Sequence, residues 1–274
     1  MKVFIFGQSG MLGRYVYSFL KSEGFKVIGI NRNELNIVKT DYYCVRALLI
    51  RAGLSKGDVI INCAGLIKQR TGTNKFNFIQ VNAVFPHLLQ KACKEVGCNL
   101  IHVTTDCVFN GLKGSYSELD EHNAIDVYSI TKSLGEPEEA TTIRTSIIGE
   151  ELRNFSSLLE WVKSNRDTEV RGYTNHIWNG IACIQFAKIC RDIIKSKKFW
   201  LGIKHIASPN VINKFDLVRL ISDVYNLNVK VVPYETENKC DRSLISVREE
   251  IVFEIPEFEN QLLEMKDFYN MLKK

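Results

Sequence analysis

The chain has 274 residues, enough for two ordinary domains or one large α/β domain. Hydrophobic residues make up 45% and charged residues 24%, which excludes disorder because the apolar surface offsets the ordering entropy. Lys and Arg number 36 against 31 Asp and Glu, a net charge of +5 with the basic residues scattered, so no nucleic-acid partner is expected. No apolar run approaches the roughly 20 residues that cross a bilayer, so no membrane partner is expected either. The apolar start of MKVFIFGQSG is too short for a signal-peptide core, which points to the cytoplasm. Eight cysteines without a CxxC or a zinc-spaced Cys/His cluster suggest a reducing compartment and no metal.

In chain order, Lys2–Phe6 reads as a short apolar strand, 11–21 as a helix, and 25–30 as a second strand. A helix over 42–52 and a strand over 58–61 follow, then a long amphipathic helix over 78–96, a strand over 99–104, a helix over 127–140 and a strand over 142–145. Continuous apolar strands alternating with helices imply βαβ units and a parallel sheet buried on both faces. The fold class is α/β, a Rossmann-type doubly wound parallel sheet with a smaller C-terminal α/β substrate-binding region. The expected division is 1–146 for the dinucleotide and 147–274 for the substrate, with a boundary that lets the chain cross back. In the second half, helices are expected over 155–163, 184–195, 213–225 and 259–272, and a strand over 229–232.

The first strand runs into Gly7-Gln8-Ser9-Gly10-Met11-Leu12-Gly13, a GxxGxxG loop that opens a helix. Glycines let the backbone approach a pyrophosphate at a helix N-terminus, so this loop is expected to bind a dinucleotide. The second strand ends in Asn31-Arg32-Asn33-Glu34. With no acid at the first position and Arg32 beside it, NADPH is favoured over NADH. Glu34 leaves NADH open, and Arg32 also reads as an ordinary loop arginine.

Tyr128 and Lys132 lie four residues apart on one helix face. A nearby ammonium favours the phenolate and is expected to lower the tyrosine pKa, which suits Tyr128 as proton donor to a ketone that accepts hydride. With these motifs in this order, the chain resembles the extended short-chain dehydrogenase/reductase superfamily, most of all the dTDP-4-dehydrorhamnose reductases, over essentially its whole length. Asn62-Cys63-Ala64-Gly65 resembles the segment beside the cofactor, and Val81-Asn82-Ala83 the family's VN segment. Thr104–Gly111 resembles STDYVFDG, and Tyr116, Glu118 and Asp120 match YxExD. Val127–Glu136 matches VYGxSKLxGE, Arg144-Thr145-Ser146 matches RTS, and Asp241–Leu244 echoes a segment at the substrate nucleotide.

The resemblance implies that Thr105 bonds the keto oxygen, that Tyr128 is the general acid and that Lys132 is its partner. Cofactor contacts are expected from the glycine loop, Arg32, Cys63, Ala64, Gly65, Asn82, Tyr128 and Lys132, with Lys132 on the nicotinamide ribose. Thr105, Asp106, Cys107, Asn154, Trp178 and Arg242 are the implied substrate residues. Asn82 and Asp106 also read as residues that bond or cap the backbone. The implied partner is a nucleotide-sugar substrate, and a homodimer is left open. The activity implied is NADPH-dependent reduction of a nucleotide-activated 4-keto-6-deoxy sugar.

One position departs from the family pattern: Cys107 stands where the tyrosine of STDYVF is found. Bifunctional relatives carry a cysteine there as a base that epimerises the sugar before reduction, and His176 is the candidate acid for such a step. A 3,5-epimerase/4-reductase, a nucleotide-sugar epimerase or dehydratase, and a non-catalytic NADP(H)-sensing subunit are the alternative readings. In the plainer reading, Cys107 fills space and His176 is a hydrogen-bonded structural residue.

Overall fold

The computed structural model of the protein describes residues 1–67, 74–151, 155–248 and 251–273. Its centre is a six-stranded parallel sheet of β1 (Lys2–Phe6), β2 (Lys26–Ile30), β3 (Val59–Asn62), β4 (Asn99–Thr105), β5 (Thr141–Thr145) and β10 (Gly202–His205), in the spatial order β2-β1-β3-β4-β5-β10. Alternate side chains leave a strand on opposite faces, and here both faces are covered. Val3, Ile5, Ile61 and Ile143 pack on one side with α1 (Met11–Ser22) and α6 (Cys183–Ser196). Phe4, Phe6, Ile60 and Leu100 pack on the other with α2 (Tyr42–Arg51) and residues of the long helix α3 (75–96). Each of these buried side chains contributes about 1.5–3 kcal/mol relative to exposure, which is why the strands read as continuous apolar runs.

Strand order reverses between β1 and β3, where open α/β sheets place their ligands at the carboxyl ends of the strands. The glycine loop leaves β1 at this point, and Cys63-Ala64-Gly65 leaves β3 beside it. Gly7 has φ +78°, and a Cβ there would lie 2.7 Å from the Ala64 nitrogen, so only glycine lets the two loops meet. Gly10 starts α1 with no side-chain cap and no acid in the first turn. Its first N–H groups therefore remain available to an anion.

Helix α3 covers 75–96 and begins three residues before the expected start, with Asn74 capping it. It contains a π turn over Ile79–Val84, and Pro86 follows in the first turn beyond. Proline has no N–H for the carbonyl four residues back, and the wider turn absorbs that loss. Helix α4 (Val127–Leu134) ends six residues before the expected 140, because Gly135 and Pro137 follow. A methyl group on Gly135 would overlap the Asn82 carbonyl oxygen, so this glycine lets α4 abut α3.

The second half of the chain returns to the sheet. Strand β10 extends the edge beside β5, and α6 covers the same sheet face as α1. The 147–274 region thus supplies a sheet strand and part of the core. Its remaining strands are short: β6 (Ile147–Ile148) with β9 (Ile181–Ala182), β7 (Glu169–Tyr173) with β12 (Lys230–Tyr234), and β8 (His176–Trp178) between β11 (Ile212–Asn213) and β13 (Cys240–Asp241). Helices α5 (Leu158–Ser164), α7 (Lys214–Tyr225) and α8 (Phe258–Lys273) pack around them. No helix among the described residues is long and apolar enough to cross a membrane.

Candidate active site

Two cavities open at the carboxyl ends of the strands. The larger, about 720 Å³, is lined by Gly7, Ser9, Gly10 and Met11 of the glycine loop, by Asn31 and Arg32 after β2, and by Cys63, Ala64 and Gly65 after β3. Its volume and the uncapped start of α1 fit a dinucleotide. Gln8, Leu12 and Gly13 shape it from behind. The Gln8 amide fills the space over Gly29, Leu12 is buried in the core, and Gly13 packs against the Gly7 backbone.

Arg32 is exposed at the cleft wall. Glu34 folds back and accepts a hydrogen bond from the Asn31 N–H at 2.8 Å, so its carboxylate completes the turn. Arg14, also on the lining, is pinned 4.8 Å from the Tyr269 ring centroid and donates to the Glu150 carbonyl at 3.1 Å.

Asn82 was expected at the cofactor. Its Oδ1 instead accepts from the Leu66 N–H at 2.8 Å, and its Nδ2 donates to the Leu66 carbonyl at 3.0 Å. A buried amide satisfied in this way positions the loop after β3.

The smaller cavity, about 270 Å³, gathers four of the expected substrate residues, Asp106, Cys107, Trp178 and Arg242, together with the candidate acid His176. Asp106 and Cys107 line it from the loop 106–120, and Cys240 and Arg242 from the 240–245 segment, and the two segments are stapled together. Tyr116 N–H donates to the Ser243 carbonyl at 2.8 Å, and the Ile245 N–H donates to the Tyr116 carbonyl at 2.9 Å. Asn179 exchanges two hydrogen bonds with the Leu244 backbone. Glu118, third in the YxExD motif, accepts from the His205 and Val247 N–H groups, and Asp120 accepts from Ser117. The motif is therefore a set of staples for the pocket wall. Asn154, also expected at the substrate, lies outside the described residues.

Thr105 ends β4, and Tyr128 and Lys132 lie on α4. Thr105 Oγ1 donates to Asp106 Oδ1 at 3.1 Å and accepts from the Cys107 N–H at 3.1 Å. Lys132 Nζ donates to the Val103 carbonyl at 2.8 Å. Burial lowers its pKa to about 8, against the opposing pull of Glu136 and Cys63. The Tyr128 pKa is raised above the ordinary tyrosine value by burial and by Cys107, while the Thr105 side chain works the other way. The expected lowering by Lys132 is not found, because the phenol is buried and the ammonium is directed at the Val103 carbonyl. Burial and Asp106 push the Cys107 thiol up to about 12, with Arg242 Nη1 3.8 Å from its sulfur. Burial also raises the Asp106 pKa. His176 Nε2 sits 3.0 Å from Thr236 Oγ1 and 3.2 Å from the Asn238 carbonyl. These contacts tie the ring to the 236–238 turn.

The chain's own geometry also brings in a residue that sequence reasoning missed. Lys214, the first residue of α7, lines the smaller cavity with its Nζ 4.8 Å from the Trp178 ring centroid. Nothing in its sequence neighbourhood sets it apart from a solvated helix lysine.

The RmlD substrate binding domain family matches residues 1–249. The dTDP-4-dehydrorhamnose reductase of Mycolicibacterium smegmatis is 31% identical over 138 residues, covering 49% of this chain and 40% of the relative. That alignment spans less than half the length of the relative. The spore coat polysaccharide biosynthesis protein SpsK of Bacillus subtilis is 24% identical over 261 residues, 90% of this chain and 88% of that one. The crystal structure of dTDP-4-dehydrorhamnose reductase from Bacillus anthracis in complex with NADP superposes with a TM-score of 0.82. At 21% identity, with 97% of this chain and 99% of that chain covered, it is a likeness of fold.

Proposed function

The chain belongs to the RmlD substrate binding domain family, and from that membership we propose that it is an NADPH-dependent reductase of a nucleotide-activated 4-keto-6-deoxy sugar. The carrying observation is the arrangement of the two cavities about one group of residues. Lys132 interacts with Cys63 of the dinucleotide cleft, and Tyr128 interacts with Cys107 and Asp106 of the smaller pocket.

The nicotinamide cofactor, when bound, supplies the hydride. The chain supplies the proton and the grip on the keto oxygen. Tyr128 holds its proton at neutral pH, because burial disfavours the phenolate, and is a general acid in the direction of reduction. Thr105 reaches the same oxygen with its hydroxyl by turning it from Asp106. Arg242 and Trp178 line the pocket in which the sugar would lie. NADPH is favoured over NADH because Arg32 lines the cleft while the Glu34 carboxylate is spent on the Asn31 N–H.

Reduction without epimerisation is the better supported chemistry. With a pKa of about 12 Cys107 is a thiol, and the thiol is the wrong form for a base. His176 Nε2 is already engaged by Thr236 and Asn238. Incubation with NADPH and a panel of 4-keto-6-deoxy nucleotide sugars tests the proposal: at least one is reduced at C4. In D2O without NADPH the wild type should place no deuterium at C3 or C5. Incorporation that Cys107→Ser abolishes would establish the epimerase-reductase instead.

A further inference from the structure

Strand β10 carries two buried polar side chains, Lys204 and His205, at the edge of the central sheet. Burying such groups costs free energy unless each is hydrogen-bonded. Lys204 Nζ donates to Ser246 Oγ at 3.3 Å and to the Arg248 carbonyl. His205 pairs in register with Arg144 on the neighbouring strand β5. Arg144 is fully buried, and the Glu136 carboxylate takes its Nε at 3.1 Å and its Nη2 at 2.7 Å. Its Nη1 lies 2.8 Å from His205 Nε2. On the other side of the ring, Nδ1 lies 3.0 Å from the Tyr116 carbonyl and 2.9 Å from the Ile245 carbonyl. A guanidinium only donates and carbonyls only accept, so the neutral ring with its proton on Nδ1 satisfies all three at once. Burial and Arg144 keep the ring neutral, with a pKa of about 4.

The two carbonyls belong to the two segments that meet at the smaller cavity. Tyr116 lies in the loop that brings Asp106 and Cys107, and Ile245 follows the stretch that brings Cys240 and Arg242. Glu118 fastens the same junction, accepting from the His205 N–H at 2.7 Å, the Val247 N–H at 2.9 Å and the Ser246 hydroxyl at 2.6 Å. The Phe109 ring stacks on Tyr116 at 4.2 Å and meets the His205 ring edge-on at 6.0 Å. His205 itself is outside both cavity linings.

Resting on the reductase reading above, we infer that His205 is a positioning residue for the sugar pocket: its ring fastens both segments that carry the pocket's polar side chains to Arg144 of the central sheet. It acts through the Tyr116 and Ile245 carbonyls. The pocket wall is thereby set before substrate arrives, and less binding free energy is lost to ordering it.

The test compares His205→Leu and His205→Gln in the full chain by steady-state kinetics, NADPH binding and amide hydrogen exchange. His205→Leu removes the ring's donor and acceptor, so the two segments should loosen. The KM of the nucleotide sugar should rise by about tenfold, the scale of one lost charged hydrogen bond, with kcat within about twofold of wild type and NADPH affinity unchanged. Exchange at the Tyr116 and Ile245 amides should quicken, and exchange in β1 and β4 should not. His205→Gln, whose amide offers a donor and an acceptor, should recover part of the lost KM. Should His205→Leu not fold, Glu118→Ala loosens the same junction at Val247 and should show the same pattern. A sugar KM equal to wild type overturns the role. So does a parallel loss of kcat, NADPH affinity and sugar affinity, or a glutamine variant no better than the leucine one. A wild type that binds NADPH yet reduces no nucleotide sugar overturns the reductase reading, and the role with it.

Discussion

Tyr128, Thr105 and Asp106 form a chain of groups whose protons are all accounted for before substrate arrives. The phenol is neutral, the threonine hydroxyl is turned to Asp106, and Asp106 is itself held toward its protonated form by burial. Tyr128→Phe keeps the ring and removes the proton, so turnover should fall about 10²-fold or more with NADPH affinity preserved. Near-wild-type turnover would remove Tyr128 from the chemistry. Arg32→Ala should weaken NADPH by about 1.5–3 kcal/mol and leave NADH nearly unchanged. Equal losses for both cofactors would make Arg32 a structural loop residue. These residues were legible because each stands in a motif with a fixed place after a strand. Lys214 was not, since an isolated lysine at a helix start carries no pattern. The Tyr128 pKa was misjudged for a related reason: spacing on a helix puts two side chains on one face but does not say where the ammonium points.

Elements divide along the same line. Five of the six sheet strands read as apolar runs because both faces of the sheet are covered. Strand β10, GIKH, does not, because its Lys204 and His205 are buried by partners far along the chain. Lys204 Nζ meets the Arg248 carbonyl, and Arg144 Nη1 lies 2.8 Å from His205 Nε2. Only the three-dimensional arrangement supplies those partners. The π turn of α3 was hidden too, since Pro86 announces a disturbance without specifying its form. Where α4 meets α3 the packing depends on Gly135. Gly135→Ala should destabilise the protein by about 1–3 kcal/mol, the usual cost of overpacking, as a lowered urea midpoint. An unchanged midpoint would mean that the two helices separate at little cost.

The whole molecule keeps several histidines neutral in its interior. Burial and Arg144 lower the His205 pKa to about 4, and His102 and His122 are lowered in the same direction, chiefly by burial. The unfolded chain takes up these protons near pH 6.5, and the folded one only at lower pH. Their contribution is therefore fully present above about pH 6.5 and is lost as the pH falls toward 4. For His205 the loss is about 3 kcal/mol over that interval. Urea midpoints should drop between pH 7 and pH 5, and equal midpoints would show that these rings gain no protons on unfolding.

The same body of sheet and helices carries the two cavities on one edge, and the proposed function requires hydride to pass between what they hold. Its most direct test follows a deuterium label from C4 of the reduced nicotinamide. Wild-type protein is incubated with [4-²H]NADPH of each C4 configuration and a 4-keto-6-deoxy nucleotide sugar, and the product is read by NMR. Deuterium should appear at sugar C4 from one configuration only, matched mole for mole by NADP formed. A chain that binds NADPH and the nucleotide sugar yet transfers no deuterium from either configuration would contradict the account.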